Sequence, residues 1–155
     1  MNFIGIDPGQ SGGIAVIRST STFVTFAKFK GQSEQDMVNM FNGIKVECAH
    51  PVVYLEQVHA MPRQGVSSTF KFGASYGFLR GLCVSQGFKI NDVTPQKWQK
   101  ALGCLTGGDK NVSKRKAQQL FPALAHRITH AVADALLLAV YAEQVTNGDI
   151  KWIGS

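Results

Sequence analysis

The chain has few cysteines, few acids and no long apolar run. Its three cysteines, Cys48, Cys83 and Cys104, are an odd number without paired spacing. That argues against a disulfide framework or a zinc knuckle, and favours a reducing cytoplasm. No run approaches the roughly 18 apolar residues of a membrane span, and the longest, near 131–141, is broken by Asp134. The N-terminus lacks a basic segment followed by an apolar core, so an export signal is not expected. Internal repeats, low-complexity segments and linkers are also missing. The 155 residues are therefore expected to form a single domain, 1–155. Acids number 10 against 16 Lys plus Arg, a formal charge of +6. Such a balance favours a polyanion such as nucleic acid, and no membrane.

What is present is a small set of acids in apolar company. Phe3-Ile4-Gly5-Ile6 ends abruptly in Asp7, followed by a turn rich in glycine (Gly9, Gly12, Gly13). Glu56 closes the run Val52-Val53-Tyr54-Leu55. Asp134 lies inside the apolar segment 130–139. An acid after a strand is often a turn former, but an acid inside an apolar helix needs compensation. Three such carboxylates, far apart in sequence, imply one assembled divalent-metal site. His130 precedes Asp134 by one helical turn, on the same face. Alone it reads as a helix-start or core histidine. As a fourth ligand it suits a site for Mg²⁺ or Mn²⁺ with open positions for water and phosphate.

Strands are expected at 2–7, 14–18 and 23–29, joined by short turns such as 19–22, and so antiparallel. Ser33-Glu34-Gln35-Asp36 reads as a helix cap, and Met37, Met40, Phe41 and Ile44 share one helical face. A continuously apolar strand at 52–56 should be central. After a polar loop at 59–67, residues 68–86 read as a helix. Gly73, Gly77 and Gly81 make one smooth stripe on it, suited either to packing inside the domain or to a dimer contact. A strand at 89–93 leads to Thr94-Pro95, a cap before a first-turn proline. Helices follow at 96–102, 113–121 and 129–144, with a loop at 103–111. The order β-β-β-α-β-α-β-α-α-α indicates an α/β fold: a mixed five-stranded sheet with helices on both faces.

Ile4-Gly5-Ile6-Asp7-Pro8-Gly9, Leu55-Glu56-Gln57-Val58 and Ala133-Asp134-Ala135-Leu136 occur in this order. With Val93-Thr94-Pro95-Gln96-Lys97-Trp98, Leu102-Gly103, Asp109-Lys110 and Leu120-Phe121-Pro122, they cover nearly the whole chain. The set resembles the RuvC-type Holliday junction resolvases of the RNase H-like superfamily, in the compact form found in phages. The resemblance implies an RNase H-like fold and a homodimer. It implies paired nicks across a four-way DNA junction, made with two Mg²⁺ ions per site, for which Mn²⁺ can substitute. It maps the metal-binding carboxylates to Asp7, Glu56 and Asp134. The fourth ligand of the family, one turn before the last Asp, falls to His130. Lys110 is expected to offset charge at the scissile phosphate. Lys97, Lys100, Lys114, Arg115 and Lys116 are candidates for backbone phosphates. His59, Met61 and Arg63 lie in the loop expected to face the crossover. The cytoplasm of a bacterial or phage-infected cell is the implied location. Two other readings use the same fold: a nuclease for branched, flap or single-stranded DNA, and a non-catalytic junction binder. An actin-like ATPase or sugar kinase also begins with an Asp and a Gly-rich turn, but needs two such domains.

Overall fold

A computed structural model describes residues 1–18, 23–59 and 63–150. The 19–22 turn, residues 60–62 of the expected loop, Met61 among them, and the tail 151–155 lie outside the described residues. Five strands, β1 (Asn2–Asp7), β2 (Gly13–Arg18), β3 (Val24–Lys28), β4 (Val52–Glu56) and β5 (Ile90–Val93), form one sheet in the order β3-β2-β1-β4-β5. The first three are antiparallel neighbours, as their short connections dictate. β4 and β5 run parallel to β1 because each is reached through a helix, α1 (Glu34–Glu47) or α2 (Val66–Ser85). α1 starts where the sequence places it. The Ser33 hydroxyl accepts from the Asp36 N–H at 3.1 Å, and the Asp36 carboxylate accepts from the Ser33 N–H at 2.8 Å.

Strand alternation sorts the core into two layers. Ile4, Ile6, Ile14, Val16, Val53 and Leu55 face α1 and α2, where Phe41, Leu79, Leu82 and Cys83 cover them. Phe3, Ala15, Ile17, Tyr54 and Val93 face the other way. There they meet α3 (Pro95–Ala101), α4 (Lys110–Leu120) and α5 (His130–Asn147). The mixed sheet with helices on both faces is thus as expected.

Two missing side chains seat α5 on the sheet. A Cβ on Gly5 would stand 2.0 Å from the Ala135 carbonyl oxygen and 2.5 Å from the Ala139 nitrogen. A Cβ on Gly13 would stand 2.7 Å from the Ala131 carbonyl oxygen. The helix backbone therefore lies directly on β1 and β2. Tyr141, further along the helix, meets Tyr54 edge to face at 5.3 Å.

Several expectations are corrected. Gly13 opens β2 instead of belonging to the turn. α4 begins at Lys110 rather than 113, because the Asp109 carboxylate accepts from the Asn111 N–H at 2.9 Å and caps it there. Lys110 is therefore a helix residue and not part of a loop. α5 continues to Asn147, where Gly148 closes it in the left-handed conformation (φ 82°). Among the described residues, the stripe Gly73, Gly77, Gly81 is not packed against: nothing lies within 4 Å of a Cβ built on any of the three. Among the described residues, no helix is long and apolar enough to cross a membrane.

Candidate active site

β1 and β4 are parallel neighbours, so their carboxyl ends finish together. The register pairs Ile6 with Leu55, and the next residue on each strand is an acid, Asp7 and Glu56. Alternation turns both toward α5: Phe3 and Tyr54, of the same parity, are in the α5 layer. α5 brings the third acid. Its segment Ala131–Ala135 crosses Gly13 and Gly5, and Asp134 lies within that segment. The close helix seat and the strand ends thus deliver Asp7, Glu56 and Asp134 to one place.

Their electrostatics agree with that convergence. Burial pushes the Asp7 carboxyl well above its ordinary value, and the charges of Glu56 and Asp134 push it further. Burial raises Glu56 to about 7, with Asp134 adding to the rise. Burial also raises Asp134. Lys110 opposes the rise at all three acids. The Glu56 carboxylate also accepts a hydrogen bond from the fully buried Trp98, Nε1 to Oε2 at 2.8 Å. The Ser113 hydroxyl, buried beside Asp134, holds that acid down, as does the charge of His130. The same hydroxyl lies 3.2 Å from the Lys110 carbonyl, so its single proton serves either acceptor.

This donor set fits a divalent cation. Three carboxylates oppose one another's ionisation, and Asp134 Oδ1 is buried with no hydrogen-bond partner among the described residues. An orphaned carboxylate oxygen among like charges is costly unless a cation completes it. All the acids offer hard oxygen donors, as Mg²⁺ and Mn²⁺ prefer. Among the described residues, no three His, Cys, Asp or Glu side chains form a ready-made cage. A cation would have to draw the carboxylates together.

Asp7, Lys110, His130 and Asp134 line one open cleft of about 450 Å³. Glu56 does not line it and stands behind, bonded to Trp98. His59 lies elsewhere, in a neighbouring cleft with Gln57, Gln64, Thr94 and Gln96. Phe72 lines both clefts and forms the wall between them. Arg63 is exposed on the loop that follows the described gap. Lys97 and Lys100 are on α3, and Lys114, Arg115 and Lys116 continue α4 beyond Lys110.

Sequence reasoning missed four participants. Trp98 and Ser113 touch the acids, and Lys28 and Lys30 form a basic wall of the main cleft. A tryptophan in a short helix carries one available signal, since a buried indole N–H requires an acceptor. For Lys28 and Lys30 the sequence held no signal beyond charge.

No family model matches the chain. The chloroplastic Holliday junction resolvase MOC1 of Chlamydomonas reinhardtii is 32% identical over 101 residues. That stretch is 61% of this chain and 12% of the algal protein, so the chain corresponds to a small part of that relative. RuvC of Thermus thermophilus superposes with a TM-score of 0.60 at 16% identity, covering 96% of this chain and 97% of that one. The same protein in complex with Holliday junction substrate gives 0.63 at 21% identity, covering 96% of each chain. The fold is therefore that of RuvC, an RNase H-like fold, as the motifs implied.

Proposed function

We propose that this chain is a metal-dependent endonuclease that resolves four-way DNA junctions by phosphodiester hydrolysis. The convergence of Asp7, Glu56 and Asp134 at the ends of β1, β4 and the start of α5 carries the reading. The RuvC fold and the likeness to a junction resolvase support it. Asp7, Glu56 and Asp134, with His130, would hold two Mg²⁺ ions, or Mn²⁺ in their place. Such ions supply a water of lowered pKa and stabilise both the attacking and the leaving oxygen of an in-line displacement.

The chain's own groups divide the remaining work. Lys110 places positive charge beside all three acids, where a phosphate would add negative charge. Lys28 and Lys30 extend that potential along the cleft. Lys97, Lys100, Lys114, Arg115 and Lys116, on α3 and α4, would contact backbone phosphates. His59, Met61 and Arg63 belong to the loop region assigned to the crossover.

A junction offers two symmetric scissile phosphates, and two copies of the chain would match them. The surface of α2 suits that pairing. Val66, Phe70 and Val84 are 88%, 78% and 67% exposed, and Gly73, Gly77 and Gly81 lie between them. At 100° per residue these six share an arc of about 80°. The buried Leu79, Leu82 and Cys83 are on the opposite side. An apolar stripe with no cover in one chain fits a homodimer contact. The three free, buried cysteines fit a reducing compartment such as the cytoplasm of a bacterial or phage-infected cell.

The test is cleavage of a labelled synthetic four-way junction in Mg²⁺, beside linear duplex, flap and single-strand controls. Symmetric nicks confined to the junction, abolished by Asp7→Asn, are the expected result. Equal cutting of flaps or single strands would replace this reading with a general branched-DNA nuclease. Tight junction binding without cleavage in either metal would leave a structural binder.

A further inference from the structure

The indole of Trp98 is the most deeply buried aromatic group beside the acids, with no measurable exposure. Its N–H is a donor that can never accept, and burial obliges it to find a partner. That partner is Oε2 of Glu56 at 2.8 Å, a contact between β4 and α3 across the buried layer. Glu56 ends β4 beside the end of β1, where Asp7 stands. One of its oxygens is thus fixed by a rigid group, while Asp7 ends the neighbouring strand in register beside it. Packing also fixes the donor. Trp98 shares its cluster with Leu102, Cys104, Val93 and the middle of α5. Thr94-Pro95 starts α3 immediately after β5, and β5 pairs in parallel with β4 at Glu56 and Val93. The helix carrying the indole is therefore tied to the strand carrying the acid.

From this geometry we infer that Trp98 is a positioning residue. By holding Oε2 it fixes the orientation in which Glu56 would serve a divalent cation, and its N–H would sense whether that cation is bound. The inference rests on the metal-dependent reading given above and adds a residue to it. A ligand held in one rotamer loses less freedom on binding metal, and partners behind a ligand typically contribute about 10- to 100-fold in metal affinity or activity. The indole also fills space, so the useful substitution keeps the bulk and removes only the donor: Trp98→Phe. Pure packing would leave metal affinity unaffected by that change once the protein is folded.

The chain has two tryptophans, Trp98 and Trp152, so each indole N–H can be assigned by replacing Trp152 with Phe. In the full-length protein, the Trp98 Nε1–H resonance should exchange slowly with solvent. It should move on titration with Mg²⁺ and lose that response in Glu56→Gln. Calorimetric Mg²⁺ affinity should fall on the order of tenfold in Trp98→Phe, and high Mg²⁺ should restore junction cleavage by that variant. An indole resonance indifferent to Mg²⁺ in the parent protein overturns the inference, even if Trp98→Phe fails to fold. So does a folded Trp98→Phe variant whose Mg²⁺ affinity stays within twofold of the parent, in which case cleavage by the parent leaves the nuclease reading intact. If the parent binds no Mg²⁺ at all, both fall together.

Discussion

Glu56 shows most directly what the site costs the protein. Its ordinary value is 4.5, and burial raises it to about 7 in the folded chain. The folded state therefore holds this proton more tightly than the unfolded state. The stabilisation is complete below about pH 4.5 and is lost as pH rises through about 7. A shift of that size amounts to roughly 3 kcal/mol. Asp7 and Asp134 act in the same direction, while Lys110, His130 and the Trp98 N–H oppose it. In metal-free buffer at pH 8, Glu56→Gln should melt above the parent, by roughly 5–10 °C at the usual few degrees per kcal/mol for a chain of this size. The gain should vanish near pH 4.5. Added Mg²⁺ should stabilise the parent and not the variant. Melting curves in chelator and in Mg²⁺ check this, and a variant less stable than the parent at both pH values would contradict it. Gly5→Ala tests the helix seat. Its Cβ would run into the Ala135 carbonyl, and overpacking of this kind costs about 1–3 kcal/mol or more. The melting temperature should fall by at least several degrees, and an unchanged value would mean that α5 does not rest on β1 as described. The acids were legible because carboxylates stand out in apolar runs. Gly5 was not, since its reason is a helix carbonyl from a distant part of the chain.

At the scale of elements, sequence pattern and structure part where tertiary contacts decide. β1 and β4 could be read from their continuous apolar runs and α1 from the Ser33 capping box, which are local signals. The start of α4 could not be placed, because Gly107 and Gly108 mask the capping role of Asp109. Moving Lys110 onto the helix also sharpens its role. Ser113, one turn later on the same face, is buried beside Asp134, so Lys110 faces the acids with it. Lys114, Arg115 and Lys116 follow on the remaining surface. Replacing all three by Ala should weaken junction binding while leaving the melting temperature nearly unchanged. The salt dependence should flatten by roughly 0.7–0.9 in log–log slope for each phosphate no longer neutralised. Binding isotherms at several salt concentrations measure it, and an unaltered slope would remove this face from the interface. α2 was read as one smooth stripe, and only the folded chain shows that the stripe points away from the domain. The parent should therefore sediment as a dimer, and Phe70→Glu as a folded monomer. A parent that is monomeric throughout would remove α2 as an interface.

At the scale of the whole molecule, one acid-lined cleft would cut one strand, and resolution of a junction needs two cuts made in concert. The charge of +6 would supply general attraction to DNA, and pairing through α2 would supply the geometry. A supercoiled plasmid that extrudes a cruciform separates these possibilities in a single gel. Two coordinated nicks within one complex convert it directly to linear DNA, whereas an isolated nick relaxes it to an open circle and removes the junction. Linear product is expected in Mg²⁺ from the parent chain, open circle from Phe70→Glu, and intact plasmid from Asp7→Asn. Open circle as the main product of the parent, or no cleavage in Mg²⁺ and Mn²⁺, would contradict this reading.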